Sequence, residues 1–322
     1  MVAYTTIRTF AVPSEQTPDI IKNHSSSIIM KIQNLKIKSI VIILLSFLSI
    51  NAISQDLNHL RYFMLSGAMP ASDTPYGNNS KAGHYLNTGD AKIYYEVYGK
   101  GKPVVVLHGG IVGSTYEMGQ LIDSLSKRYQ VIAISTRGHG KSEIGAGLPT
   151  YERKAEDVNA IIKAVTKDSV TVLGFSDGAY TGYFLASIHP EKVKKLIAIG
   201  AGEWKSGFRT FNNTREMLFN MDSLYFKQQL KLSPEPQRFD QWLNAINKYY
   251  SALNVGKDIL GNIKCPVLVM AGEKDQNAPL ETVLAAYKMI PHAQLSIIPN
   301  APHPAFLVNF PAVWTSILPF LN

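Results

Sequence analysis

Short apolar runs alternate with helix-length segments along most of the chain after residue 91. The run Pro103–Leu107, for example, is apolar at every position, which is typical of a strand buried on both faces of a parallel sheet. The predicted strands are 92–98, 103–107, 131–135, 169–175, 193–199, 265–271 and 294–298, and the predicted helices are 116–127, 151–165, 177–188, 280–290 and 311–321. This order predicts an α/β domain with a doubly wound, mostly parallel sheet.

The composition narrows the class of protein further. Of 322 residues, 46% are hydrophobic and 17% are charged, which is enough apolar material for a sizeable core and excludes global disorder. A single Cys excludes an internal disulfide and a zinc site with two thiolates. No metal-ligand pattern and no phosphate-binding Gly loop is found, so we expect no cofactor and no metal.

The net charge of +8 does not indicate a nucleic-acid partner. Residues 1–54 contribute +3 of it, and the basic residues of the remaining chain are scattered, whereas a nucleic-acid surface needs them clustered. The partner that we expect is a small molecule, and the oligomeric state is left open.

The N-terminal part of the chain has the pattern of a targeting segment. Three lysines after Met30 precede the apolar stretch Ser39–Ile50, and small residues suited to cleavage end at Ser54. This pattern predicts a signal peptide and export to the periplasm or the medium. The alternative is an uncleaved segment that anchors the protein in the membrane, which is the only membrane contact that we expect.

The sequence also predicts how the chain is divided into segments and a domain. We interpret residues 1–29 as an extension upstream of the true start, so that residues 1–54 comprise this extension and the signal peptide. Residues 55–81 are polar and predict a linker, and residues 82–322 predict the α/β domain. Within that domain, residues 203–261 lack a convincing strand and are rich in aromatic residues and Met, so we expect a small helical cap over the sheet's carboxyl edge.

A candidate nucleophile follows the predicted strand 169–175. The pentapeptide Gly174-Phe175-Ser176-Asp177-Gly178 has the form Gly-x-Ser-x-Gly and stands between a strand and a helix. A serine exposed on such a sharp turn needs glycines two residues before and after it, because these positions approach each other closely. The following helix N-terminus also favours negative charge on a bound substrate.

Two later loops supply a base and an acid for this serine. Asp275 follows the predicted strand 265–271, and His303 follows the predicted strand 294–298. A serine hydroxyl needs a base to take its proton, and the base needs a carboxylate to orient it. We therefore expect Ser176, His303 and Asp275 to form a catalytic triad, with Glu273 as the rival acid.

A second glycine-rich loop is the candidate oxyanion hole. His108-Gly109-Gly110 comes directly after the predicted strand 103–107. An N–H near Gly110 can point at an oxyanion together with the N–H of Asp177, and we expect His108 to brace the loop.

From about residue 82 onward the chain resembles α/β-hydrolase-fold serine hydrolases. The resemblance rests on His108-Gly109-Gly110, Arg137-Gly138-His139-Gly140-Lys141-Ser142, the serine pentapeptide, and Asp275 with His303, in the family's order of serine, acid and histidine. It implies Ser176 as nucleophile, His303 as base, Asp275 as acid, and the backbone N–H groups of Gly110 and Asp177 as the oxyanion hole. Two positions depart from the family pattern: Ser135 stands where many members have Asp, and Asn300 where a Gly often stands.

The function that we predict is hydrolysis of a small carboxylic ester through an acyl-enzyme on Ser176. The alternatives are a secreted ligand-binding homologue without turnover, or another acyl-bond reaction of the fold, such as that of a lactonase, peptidase or lyase. The Ser-Asp-Gly elbow is similar to that of α-amino-acid ester hydrolases of the valacyclovir hydrolase type, which implies that the Asp177 carboxylate binds a substrate ammonium. The alternative is that Asp177 caps or bonds within its own helix.

Overall fold

The computed structural model of the chain describes residue 57, residues 60–64 and residues 72–322. All of these lie in the compact unit Asp56–Asn322. The predicted signal peptide, which would end at Ser54, lies outside the described residues. Across the described part of the chain, no helix combines the length and the apolar character that a membrane span requires.

One eight-stranded sheet organises the protein. Its strands are β1 (Gly83–Asn87), β2 (Lys92–Tyr98), β3 (Lys102–Leu107), β4 (Tyr129–Ile134), β5 (Val170–Phe175), β6 (Val193–Ile199), β7 (Val267–Gly272) and β8 (Ala293–Ile298). They lie in the order β1-β2-β4-β3-β5-β6-β7-β8. Strands β1 and β2 pair antiparallel with their neighbours, and all pairs from β4 to β8 are parallel. The predicted doubly wound, mostly parallel sheet is confirmed.

Helices cover both faces of this sheet. They are α1 (Gly119–Leu125), α2 (Tyr151–Val165), α3 (Asp177–Ile188), α4 (Arg215–Leu232), α5 (Phe239–Ala252), α6 (Lys257–Leu260), α7 (Leu280–Met289), α8 (Ala305–Val308) and α9 (Phe310–Leu321). Strand β3 shows why the run Pro103–Leu107 is apolar throughout. Val105 and Leu107 belong to the core on one face, whereas Val104 and Val106 belong to the core on the other, so every position of this run is buried.

Helix α2 begins and packs as its sequence predicts. The Thr150 hydroxyl accepts a hydrogen bond from the backbone N–H of Arg153 and so caps the first turn. Tyr151, Ala155 and Val158 recur at helical spacing and are buried. This stripe holds α2 against α3 and thereby against the serine turn.

The predicted cap region contains helices α4, α5 and α6. In this region, among the described residues, the only strand-like pairing is the isolated bridge between Trp204 and Val255. Thr214 caps the start of helix α4, because its hydroxyl accepts from the N–H of Met217.

Two features differ from the prediction. Strand β1 was not predicted, because its sequence GHYLN lies at the sheet edge with no buried residue and so lacks the alternation of a half-buried strand. Within the predicted linker, Leu60, Tyr62 and Tyr76 are buried in the core on the α1 and α9 side of the sheet. The described part of residues 55–81 therefore packs on the α/β domain, because its few large apolar side chains bury there.

The Arg137 segment has a structural role. Arg137 is buried and forms a two-pronged salt bridge with Asp157, with Nε–Oδ2 2.7 Å and Nη2–Oδ1 2.8 Å. At Ser135, where many family members have Asp, the hydroxyl instead lies 2.9 Å from the hydroxyl of Thr115. These contacts join the loop after β4 to α2 and to the turn before α1.

Candidate active site

Ser176 sits on a sharp turn between β5 and α3. Its backbone has φ 52° and ψ −114°, a conformation that is strained for any residue other than glycine. A Cβ on Gly174 would lie 2.3 Å from the carbonyl oxygen of Gly178, and a Cβ on Gly178 would lie 2.5 Å from the carbonyl oxygen of Leu107. Both glycines are therefore required by close backbone contacts, and the turn exposes the serine hydroxyl at the sheet's carboxyl edge.

The structure brings Ser176, His303 and Asp275 together. His303 Nε2 lies 2.9 Å from Ser176 Oγ, and His303 Nδ1 lies 2.9 and 2.8 Å from the two Asp275 oxygens. Because a carboxylate only accepts, Nδ1–H donates to Asp275 and leaves Nε2 free to accept the serine proton. Asp275 is itself fixed, since its Oδ1 accepts from the N–H groups of Asn277 and Ala278 at 2.8 Å each.

The strand order explains why these residues meet. Asp275 follows β7 and His303 follows β8, and the carboxyl ends of adjacent parallel strands lie at one edge of a sheet. The rival acid, Glu273, is exposed and accepts from the backbone N–H of Asn300. Sequence reasoning missed Gly200 after β6, where φ is 68° and a Cβ would lie 3.0 Å from His303 Cε1, so a side chain there would be strained and would crowd the imidazole.

Gly110 and Asp177, the predicted oxyanion residues, are adjacent. A Cβ on Gly110 would lie 2.9 Å from Asp177 Cβ and 2.7 Å from the Tyr250 hydroxyl. The preceding N–H, that of Gly109, donates to Glu117 Oε1 at 2.7 Å. Among the hydrogen bonds of the described residues, none uses the N–H of Gly110 or of Asp177, so both donors are free for a substrate oxygen. Their role as an oxyanion hole stays a prediction.

His108 braces this loop. Its Nδ1 lies 2.6 Å from the carbonyl oxygen of Gly109, and its Nε2 accepts from the N–H of Thr136 at 3.1 Å. Burial lowers the pKa of His108 to about 4, so the ring is neutral at pH 7 and can donate through one nitrogen while accepting through the other.

The Asp177 carboxylate has an internal partner. Lys154 Nζ donates to both of its oxygens, at 2.8 and 2.7 Å, and the Tyr250 hydroxyl donates to Oδ1. All three side chains are buried. Burial alone would raise the pKa of the Asp177 carboxyl, but the Lys154 ammonium and the Tyr250 hydroxyl together hold it below its ordinary value.

This pairing bears on both sequence hypotheses for Asp177. Its carboxylate bonds with α2 and α5, so capping of its own helix does not describe its contacts. A substrate ammonium would meet a carboxylate that is already paired with Lys154, and ammonium binding stays an untested prediction. The sequence held one signal of the pairing: Lys154 stands within the apolar stripe of α2, where a lysine needs a buried partner.

A cavity of about 430 Å³ opens at Ser176 and His303. From the cap, Trp204, Phe211 and Tyr250 line it. Polar side chains also line it, among them Glu117, Asp177, Arg209, Asn213 and Asn277. The described residues contain no cluster of three or more His, Cys, Asp or Glu able to hold a metal ion.

Glu117 is a cavity-lining carboxyl with an altered pKa. Burial raises its pKa to about 8, although the backbone N–H groups of Gly109 and Ser114 favour the charged form. At pH 7 the side chain is therefore mostly neutral, yet it still accepts the Gly109 N–H and fixes the loop before Gly110.

Replacing Glu117 with Gln is expected to change how stability depends on pH. A carboxyl whose pKa is raised by folding contributes stability below its ordinary pKa of 4.5 and loses it as the pH rises through about 8. The free energy of unfolding of the wild type should therefore fall relative to that of Glu117→Gln between about pH 5 and pH 9. Urea denaturation across this pH range measures the free energy of unfolding, and the control variant is Glu152→Gln at an exposed position. If the free energies of wild type and Glu117→Gln changed in parallel with pH, the raised pKa of Glu117 would be contradicted.

Comparison with known proteins finds similarity to α/β hydrolases. A family model described as the alpha/beta hydrolase fold matches residues 102–232. Serine hydrolase BPHL from Homo sapiens is 26% identical over 228 residues, covering 66% of this chain and 77% of BPHL.

Two further comparisons agree. The 2-hydroxy-6-oxo-6-(2'-aminophenyl)hexa-2,4-dienoic acid hydrolase of Metapseudomonas resinovorans is 26% identical over 267 residues, covering 74% of this chain and 90% of that protein. The crystal structure of a serine hydrolase involved in carbazole degradation superimposes with a TM-score of 0.62 at 25% identity, covering 74% of this chain and 98% of that one. The similarity thus extends over two thirds to three quarters of the chain.

Proposed function

We propose that this chain, which has the α/β-hydrolase fold and resembles hydrolases of that fold in sequence, cleaves a small carboxylic ester through an acyl-enzyme on Ser176. The observation that carries the proposal is the continuous series of contacts from Ser176 Oγ to His303 Nε2 at 2.9 Å and from His303 Nδ1 to Asp275 at 2.8 Å. A serine in such contacts is an activated nucleophile, and hydrolysis of an acyl bond is the reaction to which this arrangement is suited.

Each step of the reaction has a group to perform it. Ser176 Oγ attacks the ester carbonyl while His303 Nε2 takes its proton, and the buried Asp275 stabilises the imidazolium. The N–H groups of Gly110 and Asp177 receive the oxyanion. His303 then gives the proton to the departing alcohol, which leaves an acyl group on Ser176. Water, deprotonated by His303, then attacks this acyl group, and His303 returns the proton to Ser176 Oγ as the carboxylic acid leaves.

The cavity supports a small substrate. Its volume of about 430 Å³ falls in the lower part of the range for small-molecule sites. The aromatic cap side chains line the cavity above the carboxyl edge of the sheet, so that an acyl chain bound there would be partly shielded from bulk water. Shielding strengthens the electrostatic stabilisation of the oxyanion.

Labelling with a fluorophosphonate tests the proposal. The probe reacts only where nucleophile, base and oxyanion hole act together, so we expect one adduct per chain, on the peptide that carries Ser176. Turnover of para-nitrophenyl butyrate should be lost in proportion to labelling, and heat-denatured protein should not react. A native protein that is neither labelled nor active on short esters would contradict the proposal and favour the ligand-binding alternative.

A further inference from the structure

The charges around the cavity point to the kind of substrate it takes. We infer that Arg209 binds a carboxylate carried by the substrate, so that the esters cleaved at Ser176 are anionic ones; this inference rests on the proposed ester hydrolysis. It follows from comparing the state of each charged side chain that lines the cavity.

The carboxyl groups at the cavity already have partners within the protein. Asp177 is neutralised by Lys154, and Asp275 is bonded to His303. Glu117, with its raised pKa, is mostly protonated at pH 7. The negative groups near Ser176 therefore offer no free partner to a substrate ammonium.

Arg209 is a cavity-lining cation whose hydrogen-bond partners include no carboxylate, although the Asp275 carboxylate attracts it at longer range. Its Nη1 donates to the backbone carbonyl of Asn277 at 2.6 Å, and its Nη2 donates to the Asn277 side-chain oxygen at 2.9 Å. Both acceptors are neutral, and among the described residues Arg209 forms no salt bridge. A guanidinium has five N–H donors, so donors are left for a ligand.

The side chain is also held in place. The guanidinium carbon lies 5.4 Å from the ring centre of Trp204 and 5.1 Å from that of Phe211. Both rings line the same cavity. Contacts of this kind fix a guanidinium plane, and a fixed plane loses less side-chain entropy when it binds a carboxylate.

Asn277 joins this arrangement to the triad. Its backbone N–H donates to Asp275 Oδ1 at 2.8 Å, while its carbonyl and side chain hold Arg209. The binding group and the catalytic acid are thus set by one short segment, at a fixed separation. A substrate carboxylate on Arg209 would consequently orient the rest of the molecule relative to Ser176.

The test compares matched esters that differ only in charge. One pair is mono-para-nitrophenyl glutarate and its neutral carbamoyl analogue, with the charge on the acyl side. The other is para-acetoxybenzoate and para-acetoxybenzamide, with the charge on the alcohol side. In at least one pair we expect kcat/KM of the anion to exceed that of the neutral ester by about tenfold to a hundredfold, the effect of a charged hydrogen bond partly shielded from water.

Variants assign this preference to Arg209. The ratio of anionic to neutral kcat/KM should fall to about one in Arg209→Gln and be partly kept in Arg209→Lys, which retains the charge but not the planar fork. The control is Arg215→Gln, which removes an arginine that also stacks on two rings but does not line the cavity. A general loss of activity in a variant lowers kcat/KM for both esters alike, so it does not change their ratio. A wild-type ratio near one in both pairs, or a ratio that Arg209→Gln leaves unchanged, would overturn the inference.

A binding measurement separates this inference from the proposed function. Calorimetry with Ser176→Ala compares the affinity of the hemiglutarate ester with that of its carbamoyl analogue without turnover. If the wild type cleaves no ester and is not labelled, the proposed function fails, and the calorimetry alone decides the inference. A preference for the anion that disappears in Ser176→Ala/Arg209→Gln supports it, and equal affinities overturn it.

Discussion

Replacement of Ser176 with Ala is expected to lower kcat for a short aryl ester by on the order of a millionfold. Without Oγ, His303 has no hydroxyl to activate and no acyl-enzyme forms. A small residual rate should remain, because the N–H groups of Gly110 and Asp177 can still stabilise an oxyanion formed by water.

The fold should not change in this variant. Alanine meets the same backbone strain at φ 52° as serine, and within the described part of the chain the only side-chain hydrogen bond removed is the one with His303. Thermal unfolding of the variant should therefore match that of the wild type. The matched control is Ser296→Ala in the outer strand β8, away from the cavity. This change removes a hydroxyl that is hydrogen-bonded to Ser316 on α9, and the variant should keep full activity. Activity above a hundredth of the wild-type value in Ser176→Ala would contradict the nucleophile assignment.

The triad could be predicted because each member follows an apolar strand. Buried parallel strands are visible in a sequence as short apolar runs, and their carboxyl ends lie together at one edge. Ser176, Asp275 and His303 are the polar residues in these loops that suit acyl transfer, so the order of elements was enough to bring them together. The glycines of the serine turn followed from the same geometry.

Other parts of the site could not be predicted, because they depend on how the elements pack. The partner of Asp177 is 23 residues away, on a helix whose position against α3 no local pattern determines. Gly200 looks like any glycine after a strand until the imidazole of His303 is placed beside it. Arg209 lies in the cap, in the loop before α4, and its approach to Asn277 depends on the path of that loop. Strand β1 lacks apolar alternation altogether.

The buried pair of Lys154 and Asp177 leads to the second large effect. Replacement of Lys154 with Met is expected to lower the free energy of unfolding by about 3–5 kcal/mol, the usual result of removing one partner from a buried ion pair. The methionine fills a similar volume, so the loss reflects the carboxylate that is left with the Tyr250 hydroxyl as its main donor. Urea denaturation at pH 7 measures the difference, and the exposed Lys163→Met on the same helix should change it by less than about 0.5 kcal/mol.

A second substitution shows that charge, and not lost packing, is the cause. In Lys154→Met/Asp177→Asn the buried charge is gone, and most of the lost stability should return, since a neutral amide can still bond with Tyr250. The pH dependence should reverse as well. In the wild type the lowered pKa of Asp177 makes its contribution to stability disappear as the pH falls, whereas in Lys154→Met the unpaired carboxyl gains stability on protonation. If the double variant were no more stable than Lys154→Met, the loss would have to be assigned to other contacts of the lysine side chain, whose Nζ lies over the rings of Tyr151 and Tyr250.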